Sequence, residues 1–222
     1  MIAEIGLIIF SLLMVALAAV VSKKFGPEYM ISMFVGAIVL AAVLGSKILK
    51  IGPLTVDGTI VVFSITFLLT DMLSEFYGKK QAMKAVWGGF FAMLLAIFAI
   101  QLTIYIPFPD FWENQEAFVK ILGSNWRIMI ASLIAYITTQ QFDVWYYHKL
   151  KNLTKGKYLW FRNNVSTMTS QLINTLMFST IAFLGIFPIL PLITSSYIVK
   201  LLIAILDTPI MYLTRLYYKS KY

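Results

Sequence analysis

Seven stretches of the chain are apolar over close to the length a helix needs to cross a bilayer, about 20 residues. They fall at roughly 2–22, 28–46, 57–76, 84–106, 127–148, 165–187 and 195–217. The pattern predicts an all-α, polytopic membrane helix bundle, with residues 1–222 forming one transmembrane domain. Six to seven spans fit. The first two are joined by so short a turn that a six-helix count stays open, and the third ends on Asp71 and Glu75; seven is the preferred number. Ala16-Leu17-Ala18 imitates a signal-peptide cleavage site. Glu4 lies ahead of it, however, and Lys23 and Lys24 follow the apolar run, which predicts a retained span with its N-terminus outside.

Polar residues inside these stretches carry the chemistry. In the sixth, Asn163, Thr167, Ser170 or Gln171, and Asn174 recur at spacings of three and four and share one helix face. Val165, Met168, Leu172, Leu176 and Met177 lie largely elsewhere. A helix backbone is already satisfied in lipid, so the amides bond other helices or a solute, and both readings stay open. Asp71, Glu75 and Lys79 are four apart, ahead of a plausible stop at Gly78. Glu75 can form a solvated pair with Lys79 or take part in a site. Asp71 is deeper, where a carboxylate costs on the order of 3 kcal/mol and so faces a cavity, a partner or a transported proton.

Asp143 has Gln140 a turn before it and Tyr147 a turn after. Trp145, Tyr146 and Tyr147 read as an aromatic belt. Asp207 lies mid-span, two residues before Pro209, whose missing N–H frees a carbonyl for a solute or another helix. Arg162 can snorkel to phosphate or pair with Asp71, Glu75 or Asp143. Gln101 reads as an interhelical bond.

Composition narrows the class. Sixty per cent hydrophobic residues, 13% charged and a mean hydropathy of +0.83 exclude an ordinary soluble domain. The chain has no cysteine and one histidine, so no Cys-based zinc, iron–sulfur or common histidine metal site can be built, and no metal or cofactor is expected. The net charge of +8 reads as topology rather than nucleic-acid binding. With the N-terminus outside, Lys23, Lys24, Lys79, Lys80, Lys84, Lys149, Lys151, Lys155, Lys157, Arg162, Arg215, Lys219 and Lys221 fall on one side, against Lys47, Lys50, Lys120, Arg127 and Lys200 on the other. The richer side is cytoplasmic. The connection 107–126 mixes acidic residues with Trp112 and Phe118, which predicts a short interfacial helix or a lid. No G-x-x-x-x-G-K-[ST] pattern occurs, so direct ATP use is not expected.

Carboxylates accept pairs of N–H bonds, amides offer donor and acceptor, and aromatic rings stack on flat solutes. The set suits a planar polar heterocycle and leaves a proton or a small amine open. Thr70 through Lys80 (TDMLSEFYGKK), Gln141 through Trp145 (QFDVW) leading to a basic loop, and Trp160 through Thr167 (WFRNNVST) with Ser170-Gln171 resemble the queuosine precursor transporter family, also described as vitamin uptake transporters. The resemblance implies an importer of 7-deazaguanine precursors such as 7-cyano-7-deazaguanine, 7-aminomethyl-7-deazaguanine or queuine, in the bacterial inner membrane. In such an importer Asp71, Glu75, Gln140, Asp143, Arg162, Asn163, Asn164, Ser166, Thr167, Gln171, Asn174 and Asp207 would line or support the substrate cavity. The family pattern usually has Asp where this chain has Asn174, and an amide cannot take up a proton. Two other readings are a substrate-binding membrane subunit of a vitamin uptake system and an intramembrane enzyme using Asp71 and Asp143. A homo-oligomer or an energising partner stays open.

Overall fold

In the computed structural model, which describes residues 2–45, 47–123, 126–186 and 188–220, each apolar stretch becomes a helix. They are α1 (Ile2–Phe25), α2 (Glu28–Leu44), α3 (Ile60–Phe76), α4 (Lys79–Tyr105), α6 (Trp126–Leu153), α7 (Leu159–Phe183) and α8 (Leu190–Lys219), with a short α5 (Gln115–Leu122) between α4 and α6. The segment between α2 and α3, which the sequence leaves as a connection, is an antiparallel hairpin of β1 (Ile48–Ile51) and β2 (Leu54–Asp57). Ile51 pairs with Leu54, so Gly52-Pro53 is a two-residue loop, and Gly52 at φ +58° takes the left-handed conformation that glycine adopts without a Cβ clash.

The hydropathy of each helix follows its place in the bundle. Gly6–Phe25, Lys79–Tyr105, Leu190–Lys219 and the stretch Gln115–Leu153 that contains α6 are long and apolar enough to cross a membrane, and α2 is a shorter apolar helix. The molecule is a helical membrane bundle. On α4, the large apolar side chains of Phe91, Leu95, Phe98 and Leu102 point outward at spacings of three and four, the stripe that faces lipid. Its opposite face is built of small residues, Ala82, Ala85 and Gly89 among them, buried with Val86 and Met93.

Helix α3 is the centre. It packs against α1, α2, α4, α6, α7 and α8, and 13 of its 17 residues are buried. Helix α7 is inverted in character: nine of its eleven buried residues are polar or charged, while Trp160, Phe161, Leu172 and Leu176 are exposed. A helix in lipid turns its polar stripe inward because hydrocarbon offers no hydrogen bonds.

The ends of the bundle differ. One holds the C-terminus of α2, the hairpin and the N-terminus of α3, where Val56, Ile60 and Val61 pack on Val199 and Ile203 of α8. Arg127, at the start of α6, donates from Nε to the Ile181 carbonyl at 2.6 Å and from Nη2 to that of Leu184 at 2.8 Å, satisfying the end of α7. At the other end α1, α3 and α8 converge. Phe76 stacks on Tyr218 with centroids 4.0 Å apart, and the Tyr77 hydroxyl donates to the Ser22 carbonyl at 2.6 Å. Helix α5 has no buried residue and touches α4. It carries Glu116 in its first turn and Lys120 in its last, the order that complements a helix dipole.

Candidate functional site

The polar groups form three layers along the bundle. The first borders a cavity of about 440 Å³ walled by the hairpin-end halves of α2, α3, α4, α6, α7 and α8 and by Ile48 and Asp57 of the hairpin. Most of its wall is apolar, with Phe63, Met93, Ile97, Met129 and Phe178 among the lining residues. Asn174 and Lys200 lie at its inner limit. The Lys200 ammonium donates to Asn174 Oδ1 and Thr175 Oγ1, both at 3.0 Å, and Asn174 Nδ2 donates to Thr139 Oγ1 at 3.2 Å. No described residue of 107–123 lines the cavity.

One to three turns further along α7 comes the second layer, fully buried. Ser170 Oγ donates to Asp143 Oδ1 at 2.9 Å, Thr167 Oγ1 to Asp71 Oδ2 at 3.2 Å, and Asn163 Nδ2 to Asp207 Oδ1 at 3.1 Å. Gln140 Nε2 donates to Thr66 Oγ1 at 2.8 Å. The polar stripe of α7 thus collects one carboxyl group each from α3, α6 and α8. Asp71 Oδ1, Gln140 Oε1, Asn163 Oδ1 and Gln171 Oε1 have no hydrogen-bond partner among the described residues. The nitrogens of Asn163 and Gln140 are committed to Asp207 and Thr66, which leaves their oxygens as acceptors. The cluster therefore presents four buried acceptor atoms with no hydrogen-bond partner among the described residues.

The third layer is an ion network on Glu75. Its Oε1 lies 2.6 Å from Arg162 Nη2 and 3.4 Å from Arg215 Nε, and its Oε2 lies 2.9 Å from Lys151 Nζ. The Tyr147 hydroxyl donates to Oε2 at 3.1 Å and accepts from Arg162 Nε at 3.2 Å. Arg162 Nη1 donates to the carbonyls of Gly156 and Lys157 at 3.0 and 2.8 Å, so every nitrogen of the guanidinium is engaged. One carboxylate of α3 thereby ties α6, α7 and α8 together.

The residues expected from sequence to form one site divide among these layers. Asn174 borders the cavity; Asp71, Gln140, Asp143, Asn163, Thr167, Gln171 and Asp207 form the inner cluster; Glu75 and Arg162 hold the far end. Ser166 turns its hydroxyl to the Arg162 carbonyl at 2.6 Å. Asn164 is partly exposed and donates to Thr208 Oγ1 at 2.7 Å and to its own helix at Trp160, fastening α7 to α8. Of the three partners open to Arg162, the structure selects Glu75, and the partners of Glu75 come from α6, α7 and α8. Tyr147 leaves the aromatic belt for the interior, whereas Trp145 stays exposed. Gln101 makes the expected interhelical contact, 3.6 Å to Met129 Sδ.

Lys200 is the residue that sequence reasoning missed. The charge division places it on an outer flank, but α8 begins at Leu190 and buries it. That leaves four basic residues on the poorer side. The available signal was its seven-residue spacing from Asp207, two turns along one helix face.

A lipid-embedded bundle with a cavity at one end, a buried hydrogen-bonding cluster beyond it and an ion-paired closure at the other end defines a membrane transport protein. The chain belongs to the family described as "Putative vitamin uptake transporter", whose model matches residues 57–214. It is 35% identical over 156 residues, 68% of each chain, to a protein of Bacillus subtilis (strain 168) named "Probable queuosine precursor transporter". No solved structure matches.

Proposed function

We propose that this protein is a multi-pass importer of 7-deazaguanine queuosine precursors in the bacterial cytoplasmic membrane, with no catalytic residue of its own. The observation that carries this reading is the acceptor-rich cluster around Asp71, Asp143 and Asp207. A guanine-like edge presents adjacent N–H donors, and a carboxylate accepts two such bonds side by side. The unpartnered oxygens of Asp71, Gln140, Asn163 and Gln171 call for donors of that kind. The name of the Bacillus subtilis relative, "Probable queuosine precursor transporter", supports the same substrate class.

The basic-residue bias makes the Glu75 end cytoplasmic and the hairpin end external. The cavity then faces outward and the Glu75 network closes the inner mouth. Solute enters beside Asn174 and Lys200, exchanges water for the amides and carboxyl groups of the cluster, and reaches the cytoplasm when Glu75 releases its cations and the helices part. Self-sufficient transport is measured in proteoliposomes that contain only this chain, with a radiolabelled 7-deazaguanine precursor outside and with or without an imposed pH gradient. Saturable entry of label is expected. Folded protein that admits none of the three precursors would remove the assignment.

A further inference from the structure

Among the described residues, Arg162 and Lys200 are the buried cations, and they are handled differently. Arg162 is neutralised by Glu75. Lys200 has no ion pair among the described residues; its polar partners are an amide and a hydroxyl, and its ammonium lies 5.6 Å from the Phe63 ring centroid. Asp57, on the cavity wall, accepts its own hydrogen bonds from the backbone and side chain of Thr59. Asn174 can bond the ammonium but cannot cancel its charge. Two of the three N–H groups are taken, which leaves one N–H and an uncancelled positive charge at the cavity wall.

Asp207 is seven residues further along the same buried face of α8, about 10 Å down the axis. A flat bicyclic base can bridge that interval. If its N–H edge meets the acceptors of the inner cluster, its opposite end, where a 7-deazaguanine carries its 7-substituent, meets Lys200. A nitrile or carbonyl there accepts the spare N–H. An aminomethyl group is itself an ammonium and meets like charge, which costs affinity and sets partner choice.

We infer that Lys200 is a specificity-determining residue that admits 7-deazaguanines bearing an uncharged acceptor at the 7-position and rejects those bearing a cation. The inference rests on the substrate class proposed above. The test is uptake of radiolabelled 7-cyano-7-deazaguanine by proteoliposomes of the whole chain, competed with unlabelled 7-cyano- or 7-aminomethyl-7-deazaguanine. For the wild type the aminomethyl compound is expected to compete about tenfold less well or worse, for Lys200→Met the gap should close to about threefold or less, and for Lys200→Glu the order should reverse. Equal competition in the wild type, or an unchanged ratio in both variants, would overturn the inference while leaving the importer assignment intact. Failure of labelled 7-cyano-7-deazaguanine to enter wild-type vesicles would overturn the inference, and failure of all three labelled precursors would overturn the importer assignment as well. Thermal stabilisation of the detergent-solubilised wild type by each compound supplies a reading independent of variant folding: greater stabilisation by the cyano compound supports the role, and equal stabilisation opposes it.

Discussion

At the scale of single residues, the carboxylates of α3 do different work four positions apart. Asp71 accepts one hydroxyl and keeps an oxygen unpartnered, whereas Glu75 is saturated by three cations and a tyrosine. Removing one member of a buried charge network leaves the others uncompensated, at a cost of about 3 kcal/mol. Glu75→Gln is therefore expected to lower the thermal midpoint of the detergent-solubilised protein by several degrees, more than Lys151→Gln at the solvated rim, as scanning fluorimetry would register. Arg162→Lys should not restore the network, because an ammonium cannot reproduce the fork that serves Glu75, Tyr147 and two carbonyls. Asp143→Ala is expected to abolish precursor uptake in a strain unable to make the precursor, with membrane levels of the protein unchanged on immunoblotting. Normal uptake would detach Asp143 from the pathway.

At the scale of elements, most of the bundle was legible. Twenty-residue apolar stretches and a one-sided polar stripe follow from what hydrocarbon tolerates, and they located the seven long helices and the inward face of α7. Local reading stopped at the hairpin, because strands of four residues with mixed exposure carry too little alternation to distinguish from a loop. It also stopped at the division of the site. Spacing tells which residues share a face of one helix but not how far each lies along the bundle relative to residues of another. Glu75 and Arg162 therefore looked like neighbours of Asp71 in one cavity. The central place of α3 was equally hidden, since it depends on contacts with six helices.

Close approach of α2, α4 and α6 depends on Gly89. A Cβ there would meet the Tyr136 hydroxyl and come within 2.8 Å of Phe34 Cε1. Tyr136 cannot easily yield, because its hydroxyl is held by the Val86 carbonyl at 2.6 Å. Gly89→Ala is expected to destabilise the bundle by about 1–3 kcal/mol through overpacking, visible as a lower midpoint in thermal unfolding, whereas the same change at Gly6, with open space around it, should have little effect.

At the scale of the whole molecule, the absence of native cysteine makes orientation directly testable. Ser196 lines the cavity, and Lys155 is exposed in the connection between α6 and α7. A single cysteine replacing Ser196 is expected to react with a membrane-impermeant maleimide applied to intact cells, and a single cysteine replacing Lys155 only after permeabilisation. The reverse pattern would invert the bundle and place the cavity toward the cytoplasm.

The four-helix clasp at Glu75 has a further bearing on direction. In the orientation proposed above, a carrier that rests shut at its inner mouth must open that mouth before solute can bind from the cytoplasm, whereas solute from outside binds first and the opening follows. Its half-saturation concentration is then higher on the inner face than on the outer by the factor that measures the resting bias. The equilibrium distribution of solute across the membrane is untouched by this asymmetry, but its kinetics are not. At solute concentrations between the two half-saturation values, the outer site is mostly occupied while the inner one is mostly empty.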